Sequence, residues 1–167
     1  SIFDDDEGKL WIGAYLGGLF VIDKKMLLAH RGKVFLAEKN YHTQSAGNSL
    51  SSNRIQEMIP DKSGNIWIST SKEGLNRINP GTQQVDCFSQ LQSEKRLSNN
   101  DITSLFCDQD GYIWVGMQGA LNRIDPQTDE IIEVKDEILD GKAILSITEK
   151  DGYLWLTIAD GQIAMHK

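Results

Sequence analysis

The sequence predicts an all-β fold built from four repeats of one four-stranded unit. Three observations lead to this prediction: a tryptophan motif that recurs four times, short segments rich in β-forming residues around it, and turn residues between those segments. The chain has 167 residues, of which 40% are apolar and 25% charged, as in an ordinary globular domain. Because the repetition covers the whole chain, it decides the fold before local propensity does.

The recurring motif is Gly-x-[Ile/Leu]-Trp, and it uses all four tryptophans of the chain. The tryptophans are 56, 47 and 41 residues apart, which is typical of repeats that each form one supersecondary unit. We expect each tryptophan to pack between neighbouring units rather than to serve as a platform for a sugar. The structural repeat positions are Gly8 and Trp11, Gly64 and Trp67, Gly111 and Trp114, and Gly152 and Trp155.

Short strands are predicted on both sides of each motif. In the second and third repeats, residues 55–60 and 102–107 precede the motif and are rich in β-formers. The Asp-x-x-Gly segment before the tryptophan predicts a hairpin, because aspartate closes a turn with its side chain and glycine accepts a positive φ. Helical periodicity is absent except for a weak stripe at residues 24–30.

A third strand is predicted seven or eight residues after each tryptophan. Asn79-Pro80 and Asp125-Pro126 then predict a turn, since proline fixes φ and keeps its predecessor out of the helical region. We expect a fourth strand after that turn, at residues 85–88, 130–134 and, following an insertion in the first repeat, about 33–37.

Four antiparallel strands per repeat of 40 to 50 residues indicate the blades of a β-propeller. A two-sheet sandwich would not require the same tryptophan in the same turn four times. We expect a partial propeller with blades at approximately residues 1–47, 48–94, 95–139 and 140–167, the last without its outer strand. An open arc would leave two apolar sheet faces wet, so we expect further blades of the same chain, or a second copy, to cover them.

The runs at residues 97–102, 108–116 and 119–125 resemble the two-component regulator propeller repeat, and the resemblance extends over essentially the whole chain. This family occurs in the periplasmic sensor regions of hybrid two-component histidine kinases of Bacteroides-type bacteria. The resemblance implies a membrane-anchored homodimeric parent with kinase, receiver and DNA-binding parts. It also implies an oligosaccharide from a complex glycan as the signal and transcription of carbohydrate-utilisation genes as the output.

Composition excludes several functions for this segment. The net charge of −7 without a Lys/Arg cluster argues against nucleic-acid binding, and no apolar run is long enough for a membrane span. Cys87 and Cys107 are expected to be free thiols. The acidic run at residues 4–8 is interpreted as a turn rather than a calcium loop, because it lacks the alternating ligand spacing.

The histidines give no support for a metal site or a catalytic triad. His30, His42 and His166 are scattered, so we predict no catalytic residue, metal or cofactor. Arg77 and Arg123 occupy equivalent places in a third strand. They could bind an anionic ligand, although a solvated face or an ion pair to the adjacent blade is the favoured interpretation.

Ligand contacts are predicted in loops, which a rigid scaffold holds in place. In an up-and-down blade, the connections between strands two and three and between successive blades share one face. The candidate ligand-binding residues on that face are Tyr15, Asn53, Arg54, Lys72, Glu73, Asn99, Asn100, Asp101 and Gln118.

The leading hypothesis is a sensing module in the bacterial periplasm that binds an oligosaccharide or another small ligand. Two alternatives remain. The first is a propeller enzyme similar to streptogramin lyases, which would need a general base and acidic or metal-holding residues near the axis. The second is a protein-interaction scaffold without a small ligand.

Overall fold

The computed structural model describes residues 1–5, 7–29, 32, 37–44, 48–139 and 141–166. Within these ranges the chain forms four antiparallel sheets, each from one contiguous stretch of sequence. Three sheets have four strands and the last has three. The predicted all-β propeller architecture, with a last blade lacking its outer strand, is therefore confirmed.

We number the sheets as blades I to IV. Within each blade the strands pair in chain order, as in an up-and-down meander. Blade I contains β1 (Ile2–Asp4), β2 (Lys9–Ala14), β3 (Gly18–Asp23) and β4 (Lys39–Tyr41). Blade II contains β5 (Ile55–Pro60), β6 (Ile66–Thr70), β7 (Gly74–Ile78) and β8 (Val85–Phe88). Blade III contains β9 (Ile102–Cys107), β10 (Ile113–Met117), β11 (Ala120–Ile124) and β12 (Ile131–Val134). Blade IV contains β13 (Ile144–Lys150), β14 (Tyr153–Ile158) and β15 (Ile163–His166).

In the described parts of the connections there are two short helical segments. The weak helical stripe forms α1 (Lys24–Ala29), and a 3₁₀ turn at Glu137–Leu139 lies between blades III and IV. The fourth strand of blade I was predicted at about residues 33–37, of which 33–36 lie outside the described residues. The strand observed is β4, which pairs with β3 from Lys39 onwards. The start of this strand could not be predicted accurately, because the inserted residues break the spacing by which the repeat locates its strands.

Neighbouring blades pack through a small residue of one blade and an isoleucine of the next. A Cβ atom added to Gly13 would lie 2.4 Å from Cγ2 of Ile55, and one added to Gly116 would lie 3.0 Å from Cβ of Ile144. The Trp-[Ile/Val]-Gly motif therefore places a gap on β2 and β10 for the innermost strand of the next blade. The side chains on both sides of these contacts form the core clusters between blades.

Three of the four motif tryptophans are buried as predicted: Trp11, Trp67 and Trp114 are 2%, 0% and 5% exposed. Trp155 departs from the prediction, because 39% of it is exposed. One face of blade IV, including Leu156, packs against blade III. Trp155 lies on the opposite face with Met165, its partner in the β14–β15 register, and among the described residues no sheet covers that face.

The hairpin turn before each tryptophan also differs in blade IV. In blade II the turn contains the five residues between Pro60 and Ile66, whereas in blade IV Lys150 pairs directly with Tyr153. The two residues between them, Asp151 and Gly152, both have positive φ, of 55° and 74°. This combination is typical of a tight type I′ turn. The spacing of the motif alone does not reveal this change of turn.

Candidate ligand-binding rim

The candidate site is the face on which the blade-to-blade connections meet the turns between second and third strands. We call this face the upper rim and take it to comprise residues 15–17, 48–54, 71–73, 95–101, 117–119 and 141–143. The turns at the other ends of the strands, including the Asp-x-x-Gly hairpins, form the lower face. All nine predicted ligand-binding residues lie in the described part of the upper rim.

The upper rim is built by one pair of backbone hydrogen bonds that recurs at each blade interface. The amide of Gly18 donates to the carbonyl of Asn53 at 3.0 Å, and Gly74 donates to Asn100 at 3.3 Å. At the third interface Gly119 donates to Lys142 at 2.9 Å. The residue two positions before the first strand of each of these blades is thereby fixed to the preceding blade.

The residue that follows is fixed to the next blade in the same way. Ser71 donates its amide hydrogen to the carbonyl of Arg54 at 3.0 Å, and Gln118 donates to Asp101 at 3.0 Å. At the third interface Ala159 donates to Ala143 at 2.9 Å. Arg54, Asp101 and Ala143 therefore occupy equivalent backbone positions at three successive interfaces.

The side chains of four predicted rim residues form hydrogen bonds that connect parts of the rim to one another or to neighbouring segments of the chain. Asn53 Oδ1 accepts from the amide of Thr43 at 2.9 Å, and Asn100 Oδ1 accepts from the amide of Gln90 at 2.6 Å. Asn99 accepts from Asp101 through Oδ1 and donates through Nδ2 to the carbonyl of Gln118 at 2.8 Å. Gln118 in turn donates from Nε2 to the carbonyl of Gly141 at 3.2 Å. The side-chain amides of these residues therefore make hydrogen bonds that stabilise the rim loops themselves.

A buried serine–asparagine pair beneath the rim was not predicted from the sequence. Asn76, which is fully buried, accepts from the amide of Ser51 through Oδ1 and donates through Nδ2 to its hydroxyl, both at 2.9 Å. Asn122 and Ser98 repeat this arrangement at 2.9 and 2.8 Å. The signal was present, since Leu-Ser and Leu-Asn-Arg occur together and in phase in both repeats, but serine and asparagine are equally common in turns.

Tyr15, Arg54, Lys72 and Glu73 have side chains exposed to solvent. Tyr15 is 66% exposed, and the guanidinium carbon of Arg54 lies 5.7 Å from the centre of its ring. Lys72 has a φ of 61°, in the left-handed region, at the tip of the turn after β6. Within the described residues, neither Arg54 nor Lys72 has a carboxylate within ion-pair distance. These exposed groups are therefore the part of the rim available to a ligand.

The lower face contains the aspartates of the repeated turns. Asp61 accepts the amides of Ser63 and Asn65 at 2.8 and 2.9 Å through Oδ1, and the indole N–H of Trp67 at 2.9 Å through Oδ2. Asp5 and Asp108 make the corresponding bonds in blades I and III. These carboxylates act as turn residues, in agreement with the interpretation of residues 4–8. In the described ranges no three His, Cys, Asp or Glu side chains form a group that could hold a metal ion.

The largest cleft described also lies on the lower face. It has a volume of about 600 Å³ and runs between the turns of blades I and II, lined by Phe3, Glu7 and the turn of residues 60–66. Of the aspartates that line it, Asp5 and Asp61 accept the indole N–H groups of Trp11 and Trp67, and Asp4 forms an ion pair with Lys24. The cleft is therefore separate from the predicted ligand-binding residues, which lie on the opposite face.

The two repeated arginines have different surroundings. Arg77 donates to Asp86 of its own blade and to Asp129 of blade III, each at 2.6 Å, so the predicted ion pair to the adjacent blade is present. Its guanidinium also lies 5.3 Å from the ring centre of Trp67. Arg123 instead stacks on Tyr112 at 4.5 Å. Lys95 of the upper rim also pairs with these aspartates, at 3.5 Å to Asp86 and 3.0 Å to Asp129, so the ion-pair cluster of Arg77 reaches the rim.

The two cysteines are partly buried in the fold, and the described histidines contact other residues of the chain. Cys87 and Cys107 are half-buried free thiols, and burial raises the pKa of each. Nδ1 of His42 accepts from the amide of Gln44 at 3.1 Å, and the ring of His166 meets Trp114 edge-on at 5.9 Å. His30 lies outside the described residues. Raised thiol pKa values oppose thiolate formation, and therefore nucleophilic chemistry, at neutral pH.

Comparison with known proteins identifies the repeat. Residues 49–72 and 96–119 match the family described as two component regulator propeller. The chain is 31% identical to the extracellular domain of BT4673 from B. thetaiotaomicron, which is described as a hybrid two component system, with a TM-score of 0.79. That match covers 99% of this chain and 23% of the BT4673 domain. No curated protein matches the chain.

Two more distant structures share the fold. The extracellular domain of BT3049 from B. thetaiotaomicron is 20% identical with a TM-score of 0.72, and the match covers 100% of this chain and 22% of that domain. Virginiamycin B lyase from Staphylococcus aureus is 18% identical with a TM-score of 0.63, covering 99% of this chain and 54% of the enzyme. At these identities the likeness concerns the fold alone.

The sheets, their order and the motif tryptophans define the chain as a segment of a β-propeller. More particularly, it carries two repeats of the two-component regulator propeller family, in blades II and III. The match in BT4673 lies in an extracellular domain. Among the described residues, no helix has the length and apolar character needed to cross a membrane.

Proposed function

We propose that this chain is part of the extracellular ligand-sensing region of a two-component signalling receptor, located in the periplasm. The observation that carries this proposal is the 31% identity to the BT4673 extracellular domain over 99% of the chain. Because the chain spans about a quarter of that domain, the parent protein is proposed to supply the remaining blades, a membrane anchor and the cytoplasmic kinase. The ligand is proposed to be an oligosaccharide derived from a glycan, and the response to be transcription of carbohydrate-utilisation genes.

The construction of the upper rim supports a binding role for this segment. Its backbone is fixed at every described interface by paired hydrogen bonds, so exposed side chains such as those of Tyr15 and Arg54 are presented from a rigid base. Loops held on a stiff scaffold are the usual place for ligand contacts. Rigid presentation also lowers the conformational entropy lost on binding.

Signalling is proposed to occur through a shift between two arrangements of the receptor. A ligand can shift such an equilibrium only by its difference in affinity for the two states. Because the blades interlock through contacts such as Gly13 against Ile55, a change within one blade would disturb its neighbours. Reorientation of whole domains or subunits is therefore the mechanism that this structure favours.

Calorimetric titration of the complete extracellular region against a panel of oligosaccharides tests the proposal. Binding heat with one sugar, and no change in that sugar after incubation, is the result expected of a sensor. Turnover of the sugar would instead favour a propeller enzyme, for which the likeness to virginiamycin B lyase supplies the fold alone. Absence of binding by every sugar would favour an interaction scaffold.

A further inference from the structure

We propose that Tyr15 and Arg54 form a subsite for an acidic sugar residue on the upper rim between blades I and II. The sugar ring would stack on Tyr15, and its carboxylate or sulfate group would bind the guanidinium of Arg54. This inference rests on the proposed sensing function and adds the charge of the ligand and the residues that recognise it.

Comparison between the blade interfaces shows that folding does not require these two side chains. Arg54 occupies the position held by Asp101 and Ala143 at the next two interfaces, where the same backbone hydrogen bond is made. Tyr15 directly follows β2, as Ser71 directly follows β6. The same backbone hydrogen bond is thus formed whether the side chain at this position is a cation, an anion or a methyl group. The aromatic–cation pair is an addition to the rim rather than a part of its framework.

The charge environment makes Arg54 a suitable anchor for an anion. The chain has 24 acidic and 17 basic residues, so carboxylates are abundant, and Arg77 engages two of them. Arg54 engages none in the described part of the chain, although its backbone is fixed to blade II. A guanidinium recognises carboxylate and other oxyanions through two parallel hydrogen bonds, which Arg54 has available.

The aromatic ring beside Arg54 accounts for the sugar part of the ligand. The guanidinium lies 5.7 Å from the ring centre of Tyr15, yet 66% of the tyrosine remains exposed. The cation–π contact positions the arginine side chain and leaves most of the ring accessible. An apolar ring surface next to a fixed cation matches a pyranose with one acidic substituent. Leu16, which is 69% exposed, extends the apolar surface.

A second cation lies nearby on the same rim. Ser71 donates its amide hydrogen to Arg54, and Lys72 is the next residue, at the exposed tip of its turn. Glu73 follows Lys72, so the local charge falls off on that side. On this side of the site, Arg54 is therefore the cation without an adjacent acidic residue in sequence.

The test uses calorimetric titration of the complete extracellular region with three matched trisaccharides. Galactotriose, trigalacturonate and galactotriose carrying 6-sulfate share one ring configuration and differ at carbon 6. We expect binding of an acidic probe and at least about tenfold weaker binding of the neutral one. The stronger of the two acidic probes distinguishes a carboxylate from a sulfate ligand.

Two variants locate the site and use residues that the chain itself tolerates at equivalent positions. Arg54→Ala and Tyr15→Ser are each expected to weaken binding of the acidic probe about tenfold or more while the melting temperature is retained. Arg123→Ala is the matched control, because it removes another arginine stacked on a tyrosine, away from the upper rim. It is expected to leave the affinity unchanged.

The possible failures are distinguishable. Unchanged binding of the acidic probe by Arg54→Ala and Tyr15→Ser would overturn the subsite and leave the sensing function standing. Binding of galactotriose as tight as that of the acidic probes would overturn the charge assignment alone. Failure of all three probes and of the wider oligosaccharide panel would overturn the proposed sugar-sensing function itself.

Discussion

The carboxylate of Asp61 accepts the indole N–H of Trp67 at 2.9 Å, and Asp108 and Trp114 repeat this bond at 2.7 Å in the next blade. The aspartate also accepts two amides of its own turn, so one side chain joins the hairpin to the core tryptophan. In blade IV the corresponding residue is Glu149, which accepts the amide of Gln109 in blade III instead.

Replacement of Asp61 by alanine is expected to lower the free energy of unfolding by about 3 kcal/mol, because it removes four side-chain hydrogen bonds and leaves the buried indole N–H without an acceptor. Equilibrium urea unfolding measures the change. Asp110→Ala is the control, since Asp110 is exposed in the same kind of turn and its loss is expected to cost less than about 0.5 kcal/mol. Equal losses for the two variants would contradict the structural role of the aspartate–tryptophan bond.

Gly13→Ala is expected to destabilise the protein by about 1–3 kcal/mol, because its Cβ would lie 2.4 Å from Cγ2 of Ile55 in the next blade. Thermal unfolding measures the loss. Gly81→Ala provides the comparison, since the nearest atom to its Cβ would be 3.4 Å away and its φ is not in the left-handed region. We expect Gly81→Ala to leave the melting temperature unchanged or slightly raised. An unchanged melting temperature for Gly13→Ala would show that the blades do not interlock at this contact.

Sequence repetition predicted the strands well because each blade repeats local information. The bounds of β5 and β9 agree with the segments read before the motifs, and β8 follows the Asn79-Pro80 turn as expected. Prediction weakened where a blade departs from the repeat. The insertion in blade I obscured the start of β4, and the two-residue turn of blade IV has the same motif spacing as longer turns.

The candidate site was predictable in place but not in detail. Loop position alone put Tyr15 and Arg54 on the upper rim, yet their mutual contact depends on two blades meeting, which no local pattern encodes. The Ser51–Asn76 pair was missed for another reason: its residues recur in phase in both repeats, but serine and asparagine are equally common in turns. Exposure of Trp155 likewise depends on what covers blade IV, and not on its own motif.

Arg77→Gln is expected to lower the free energy of unfolding at neutral pH by about 2 kcal/mol, because Asp86 and Asp129 would keep their half-buried charges with Lys95 as the remaining cationic partner. Burial raises the pKa of Asp86, but the bonds from Arg77 and Gln84 outweigh burial and hold it below the ordinary value of 3.8. A lowered pKa gives stability that is complete above pH 3.8 and lost as pH falls through the folded-state pKa.

Unfolding measured between pH 2 and 7 therefore checks this ion pair. The difference in stability between the wild-type protein and Arg77→Gln is expected to narrow below about pH 3.8. Lys9→Gln serves as the comparison, because its ion pairs with Asp23 and Glu38 are near the surface, and its effect is expected to be far smaller. A difference that is constant with pH would show that Arg77 stabilises the protein by packing alone.

Ionisation of Glu57 is expected to make the stability of the protein depend on pH in the opposite sense to the Arg77–Asp86 ion pair. Burial raises its pKa above the ordinary 4.5, although the amide of Leu105 in the next blade, which donates to it at 2.9 Å, acts against this rise. The folded protein then binds the proton more tightly than the unfolded chain, so stability falls as pH rises from about 4.5 through the folded-state pKa. Glu57→Gln keeps an oxygen acceptor for Leu105 and removes the charge. In urea unfolding measured between pH 4 and 7, we expect this variant to lack the fall in stability and to be at least as stable as the wild-type protein at pH 7. The control Glu73→Gln, at an exposed position, should follow the wild-type curve. A Glu57→Gln variant that is less stable at pH 7 would mean that the charged carboxylate itself joins blades II and III.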